Sequence, residues 1–113
     1  MSRITGYRFG HVVVDGRAFD SDVIVLPDHV VPNWWRADGH SLCLEDLDEV
    51  LGELPAHLVV GTGHDARMRP QPEVLDALRE RGIEVEVLPT PDAVRRFGEL
   101  DPATSAAALH LTC

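Results

Sequence analysis

From His57 to the end, the chain alternates short apolar runs with amphipathic ones, and this pattern restricts the fold more than any other feature. "HLVVG" reads as a buried strand. Pro72 suits the first turn of a helix with Val74, Leu75 and Leu78 inward, and Gly82 suits its C-terminal end. "IEVEVLP" alternates as the next strand. Thr90-Pro91-Asp92 then predicts a helix start, with the Thr90 hydroxyl as N-cap and Ala93, Val94, Phe97 and Leu100 as the buried stripe. "AAALHLT" supplies a final strand. Strands joined through helices cannot pair as simple hairpins, so this half demands a parallel or mixed sheet.

The first half has a different character. Residues 4 to 14 alternate loosely and end at Asp15-Gly16, a hairpin signal because both turn positions tolerate positive φ. A second strand is predicted from Arg17 to about Leu26, where "DVIVLP" is apolar enough to be covered on both faces and Pro27 ends it. "HVVPNWWRADGH" reads as a short edge strand and a loop. Strand neighbours point to opposite faces, so Trp34 and Trp35 cannot both enter one core, and one of them belongs at a surface groove or interface. From Leu44, the spacing of Leu47, Val50, Leu51 and Leu54 up to Pro55 predicts an α-helix, with "EDLDE" on its solvated side. The expected fold class is α+β with an α/β-like second half: one domain over residues 1–113, layered as sheet, sheet and helices.

Composition excludes several functions. The 113 residues are 44% hydrophobic and carry a formal charge of −9, which repels a polyanion, so nucleic acid is not an expected partner. No apolar run approaches the roughly 20 residues of a membrane span, and "MSRITGYRFG" contains no signal-like apolar region, so a cytoplasmic protein without membrane attachment is expected. All ten basic side chains are arginine, which removes Schiff-base and P-loop lysine chemistry. Cys43 and Cys113 form no metal or disulfide motif and are read as reduced thiols.

The motif richest in functional residue types is "LVVGTGHDARMRP". Gly61, Gly63 and Ala66 match a dinucleotide fingerprint in spacing, with Glu86 at the distance of a ribose-binding acid. Pro70 and Pro72 would interrupt the helix that such a fingerprint needs, so neither a dinucleotide nor any other cofactor is expected. A loop at the carboxyl end of a parallel strand can still hold a phosphate or carboxylate. The candidate ligand-binding residues are therefore Gly61, Thr62, Gly63, His64, Arg67, Met68 and, at the same sheet edge, Thr90. The bland alternative is a purely structural turn. His40, His110 and Cys113 could ligate zinc or copper only if they met in space, and no metal is expected. His110 beside Cys113 invites a nucleophile reading, weakened because positions three apart on a strand project to opposite faces.

Taken together, "YRFGHVVVDGRAFDSDVIVLPDHV", "WWRADGH", "VVGTG", "GIEVEVLPTPDAV" and "AALHLTC" resemble a small-domain family of unknown function. That family includes the mitochondrial respiratory complex I assembly factor 3 and the adipogenesis-associated mammalian protein, and "WWR", "GH" and "HLTC" resemble the latter branch more. The resemblance implies a three-layer β/β/α fold with a mixed sheet. It maps the family's Gly-Thr-Gly onto Gly61, Thr62 and Gly63, its threonine before the last helix onto Thr90, and its helix alanine onto Ala93. This chain departs from the family in three places. Gly98 stands at a usual asparagine, Ala66 at a common glycine, and no Gly-Arg or Gly-Lys precedes the last strand near "DPATS".

The family resemblance brings no established reaction, and no complete acid, base and nucleophile set is visible. The favoured reading is a non-enzymatic accessory protein that binds another protein through Trp34, Trp35, Arg36 and His40, with self-association as a further expectation. The alternative is a binding module or enzyme for a small anion at the Gly-Thr-Gly loop.

Overall fold

A computed structural model describes residues 2–36 and 40–112. Strands β1 (Ile4–Arg8), β2 (His11–Val14) and β3 (Arg17–Phe19) form an antiparallel three-stranded sheet. Asp15 and Gly16 make the predicted turn at φ 51° and 80°. A second turn, at Phe9 and Gly10, splits what reads in sequence as one strand; Gly10 at φ 73° permits it. The predicted strand from Arg17 to Leu26 is likewise two. β3 ends at Phe19, and β4 (Val23–Val25) begins in another sheet, because Asp20, Ser21 and Asp22 carry no apolar face to continue the pairing.

The five-stranded sheet has the order β5 (Val30–Val31), β4, β10 (Ser105–His110), β7 (His57–Thr62), β9 (Glu84–Leu88). β10 runs parallel to β7 and antiparallel to β4, and β7 runs parallel to β9, so the sheet is mixed as expected. β6 (Ser41–Leu42) and β8 (Arg69–Pro70) add a short parallel pair. Two helices, α1 (Pro72–Glu80) and α2 (Thr90–Glu99), complete the α+β architecture. Gly82 closes α1 at φ 80°, its amide bonding Arg79 O while the Ile83 amide bonds Leu78 O, the paired C-terminal closure that glycine favours.

Three layers result. One face of the central sheet packs Val59, Ala107 and Leu109 against Val12 and Val14 of the small sheet and Ala93 and Phe97 of α2. The other packs Leu58, Val60, Ala106 and Ala108 under Val74 and Leu78 of α1 and Leu47 and Val50 of the preceding segment. Among the described residues no helix is long and apolar enough to cross a membrane.

The α-helix predicted from Leu44 is instead two 3-10 segments, Leu44–Leu47 and Leu51–Glu53. Their amides bond three residues back, as in Val50 N to Leu47 O and Glu53 N to Val50 O. Leu44, Leu47 and Val50 satisfy a period of three as well as one of 3.6, and Gly52 disfavours the wider helix. The buried side follows the predicted apolar stripe, whereas the winding is tighter than an α-helix.

Ala66, exposed at φ 56°, holds a left-handed conformation that glycine adopts without strain. Ala66→Gly is expected to raise stability by about 0.5–1 kcal/mol in urea denaturation.

Candidate functional site

Two regions hold the functional side chains named from sequence. The first is the carboxyl edge of β7, β9 and β10. Gly61 is there because nothing larger fits: a Cβ would lie 2.9 Å from both Thr90 Oγ1 and Leu109 Cδ2. Thr90, fully buried, donates its hydroxyl hydrogen to His110 O at 2.6 Å and accepts the Gly63 amide at 2.8 Å. It is the first residue of α2, and Pro89 is the N-cap. The predicted capping role is corrected: the hydroxyl bridges β7 to β10 instead, because its lone pair and hydrogen are taken by strand backbone.

Three further loop amides are engaged as well. His64 N bonds Thr112 O at 2.6 Å, Ala66 N bonds Gly63 O, and Met68 N bonds Thr62 O at 2.9 Å. The Thr62 hydroxyl donates to Leu88 O. Met68, placed among the ligand residues by sequence, is buried in the core under α1. His64 is exposed and accompanied by the β1–β2 hairpin: Tyr7 Oη lies 3.2 Å from its Nδ1, and Phe9 meets its ring edge-on at 5.6 Å. Burial first, and the Asp65 carboxylate second, push the Tyr7 hydroxyl pKa upward. Arg67 is exposed on the loop. No helix starts inside the glycine motif, and Glu86 is bound by Arg96 Nε at 2.9 Å and by His57. Arg96 and His57, opposed by desolvation, hold the Glu86 carboxyl below the usual glutamate value. The dinucleotide fingerprint is therefore one of spacing alone.

His110 occupies a buried polar cluster that sequence reasoning did not assemble. Asp22 Oδ2 lies 2.8 Å from His110 Nδ1 and 2.9 Å from Arg36 Nη1, while its Oδ1 accepts the Leu111 amide at 2.8 Å. Burial works to raise the Asp22 pKa, but the His110 and Leu111 hydrogen bonds, helped by Arg36, outweigh it and leave it below the usual aspartate value. Arg36 Nη2 lies 2.9 Å from the same Nδ1, so the imidazole is held between a carboxylate that can only accept and a guanidinium that can only donate. The His110 Nε2 is buried without a hydrogen-bond partner. Among the described residues, no cysteine thiol and no serine or threonine hydroxyl bonds to it. The cluster ties the start of β4 to the end of β10. Its one legible sign was an acid directly before a wholly apolar strand. The suggested His40, His110 and Cys113 set is not tested, since Cys113 lies outside the described residues. Among those that are described, no three His, Cys, Asp or Glu side chains are placed to hold a metal ion.

The second region is the tryptophan segment. Trp34 is buried, donates Nε1–H to Asp46 O at 2.8 Å, and stacks on the Arg36 guanidinium 4.8 Å from its ring centre. Trp35 is 78% exposed. The pair thus splits, although both tryptophans lie beyond β5 in irregular chain and not on a strand. Trp34 and Arg36 are interior residues here, and Trp35 and His40 are the members at the surface. Beside Trp35 opens a cleft of about 410 Å³, floored by Ile24, Val31, Val50 and Trp34 and edged by Glu45, Asp48 and Glu49 of the 3-10 region. The acids read in sequence as a solvated helix side therefore line a concavity.

Comparison with known proteins places this geometry. Residues 4–110 match the model of a family described as "Protein of unknown function (DUF498/DUF598)". The chain is 36% identical over 100 residues to the NADH dehydrogenase [ubiquinone] 1 alpha subcomplex assembly factor 3 of Bos taurus, covering 86% of this chain and 53% of that protein. The Homo sapiens counterpart is 35% identical over the same coverage. The chain therefore spans about half the length of the curated relatives it matches. Among solved structures, a conserved hypothetical protein from Pyrococcus horikoshii OT3 superposes with a TM-score of 0.82 at 29% identity, covering 98% of this chain and 99% of that one. The protein MT938 does so at 0.79 and 28%, over the full length of both.

Proposed function

We propose a function from one premise: the chain belongs to the DUF498/DUF598 family. It is an accessory protein that acts by holding another protein, without catalysing a reaction, and Trp35 anchors the contact. One observation carries this reading. A tryptophan at 78% exposure directly follows the buried, hydrogen-bonded Trp34, so a large apolar side chain is presented to solvent from an anchored neighbour. The assembly-factor names of the curated relatives support a partner-binding role. Against the anion reading stand the amides of Gly63, His64, Ala66 and Met68, which all bond within the chain.

The test is affinity capture from lysate with the wild type and Trp35→Ala, the bound proteins being identified by mass spectrometry. Trp35→Ala is expected to reduce capture of a specific partner by about thirtyfold, the scale of a tryptophan hot spot, with an unchanged melting temperature. Equal capture by both proteins overturns the proposal. Trp34→Ala is unsuited to the test because it opens the core, at a cost of about 3–5 kcal/mol.

A further inference from the structure

From the cleft beside Trp35, we infer that the partner enters as an arginine-bearing extended segment, its cations on the acidic rim and its aliphatic side chains on the cleft floor. The inference rests on the partner-binding reading and gives it a chemistry. Glu45, Asp48 and Glu49 rise on one side of the cleft, and no basic side chain lines it among the described residues. Among the described residues none of the three enters an ion pair. This contrasts with other carboxylates of the chain, where Asp22, Glu86, Asp92 and Glu99 each face an arginine. The rim is therefore an uncompensated negative edge on a chain of formal charge −9.

The exposed Trp35 lines the same cleft. An indole face attracts a guanidinium, as the Arg36 stack on the inner ring of Trp34 already illustrates. Arginine also forms planar paired contacts with carboxylates, so one residue type suits both the indole and the acids. The floor of Ile24, Val31, Val50 and Trp34 takes apolar side chains. At about 410 Å³ the cleft admits a few side chains of a chain segment, not the body of a domain. A second copy of this chain would bring the same net charge of −9 to the rim, which disfavours self-docking there.

The experiment uses the full chain and a fluorescein-labelled peptide of four Arg-Leu repeats, read by fluorescence anisotropy in low and moderate salt. Saturable binding that weakens with salt is expected. Glu45→Gln/Asp48→Asn/Glu49→Gln is expected to weaken it about tenfold or more, and Trp35→Ala by a similar factor. A control that removes the same charge elsewhere, Glu73→Gln/Asp76→Asn/Glu80→Gln on α1, is expected to change it less than about twofold. Equal losses in both triple variants mean bulk attraction and overturn the inference. So do the absence of saturation, full competition by free arginine at equal concentration, and concentration-dependent self-association lost with Trp35→Ala. Partner capture separates the two levels. Capture that needs Trp35 but survives neutralisation of the rim leaves the accessory function standing and removes only the basic segment, whereas capture indifferent to Trp35 removes the function itself.

Discussion

Replacing Thr90 with valine is expected to lower the unfolding free energy by about 3 kcal/mol, a fall in melting temperature on the order of 12 °C. The substitution conserves shape, so packing around the fully buried side chain is kept. What it removes is a bridge. The hydroxyl accepts the Gly63 amide at 2.8 Å and donates to the His110 carbonyl at 2.6 Å, and without it one donor and one acceptor remain buried with nothing in reach. Each such group costs about 1–3 kcal/mol. Thr90→Ser retains the bridge and loses one methyl, so it should cost only about 1 kcal/mol. Urea denaturation of the two variants side by side gives the comparison. A valine variant as stable as the wild type would show that the hydroxyl does not hold the strands. The same geometry explains Gly61, whose added Cβ would press on that hydroxyl.

Asp22→Asn is expected to cost about 3 kcal/mol, the scale of losing one partner of a buried ion pair. The carboxylate serves three neighbours at once: His110 Nδ1, Arg36 Nη1 and the Leu111 amide. An amide oxygen can still accept from Leu111, but its NH2 would face the Arg36 guanidinium, which can only donate and would lose the Asp22 charge. The pH dependence gives a second readout. The Asp22 pKa in the folded protein lies below its ordinary value of 3.8, so near and below pH 4 the unfolded chain binds the proton more readily. The stabilisation is complete above the unfolded value and is lost as pH falls through the folded one. Between pH 7 and pH 3 the wild type should therefore lose more stability than Asp22→Asn. Glu86, also held below its usual value, contributes the slope that the variant retains. Parallel acid profiles for the two proteins would refute the assignment.

Local sequence signals found most of the elements. Pro72 and Gly82 bracket α1, and Asp15-Gly16 makes its hairpin, because the backbone conformation each position needs is a property of the residue itself. They failed where two windings or two registers satisfy one apolar pattern. Leu44, Leu47 and Val50 fit a 3-10 turn as well as an α-helix, and nothing between Arg17 and Leu26 is a strong breaker, yet the chain changes sheets there. In the candidate site, strand alternation predicts a split pair of tryptophans; the pair does split, but in irregular chain beyond β5, and which one faces water was not legible. The Nε1 bond of Trp34 to Asp46 O decides that, and its acceptor lies twelve residues away.

The sequence by itself determined the class of the molecule: an α+β fold with a mixed sheet, in which Gly-Thr-Gly and Thr90 belong to one sheet edge. Tertiary structure alone decided what that edge does. It turned Thr90 from a helix cap into a strand bridge, sank Met68 into the core, and brought Asp22 across 88 positions to His110. It also folded the acidic run around the cleft beside Trp35. The reason is physical. Backbone preference and apolar periodicity act over a few residues, whereas a hydroxyl, a carboxylate or an indole finds its partner only after the sheets have closed.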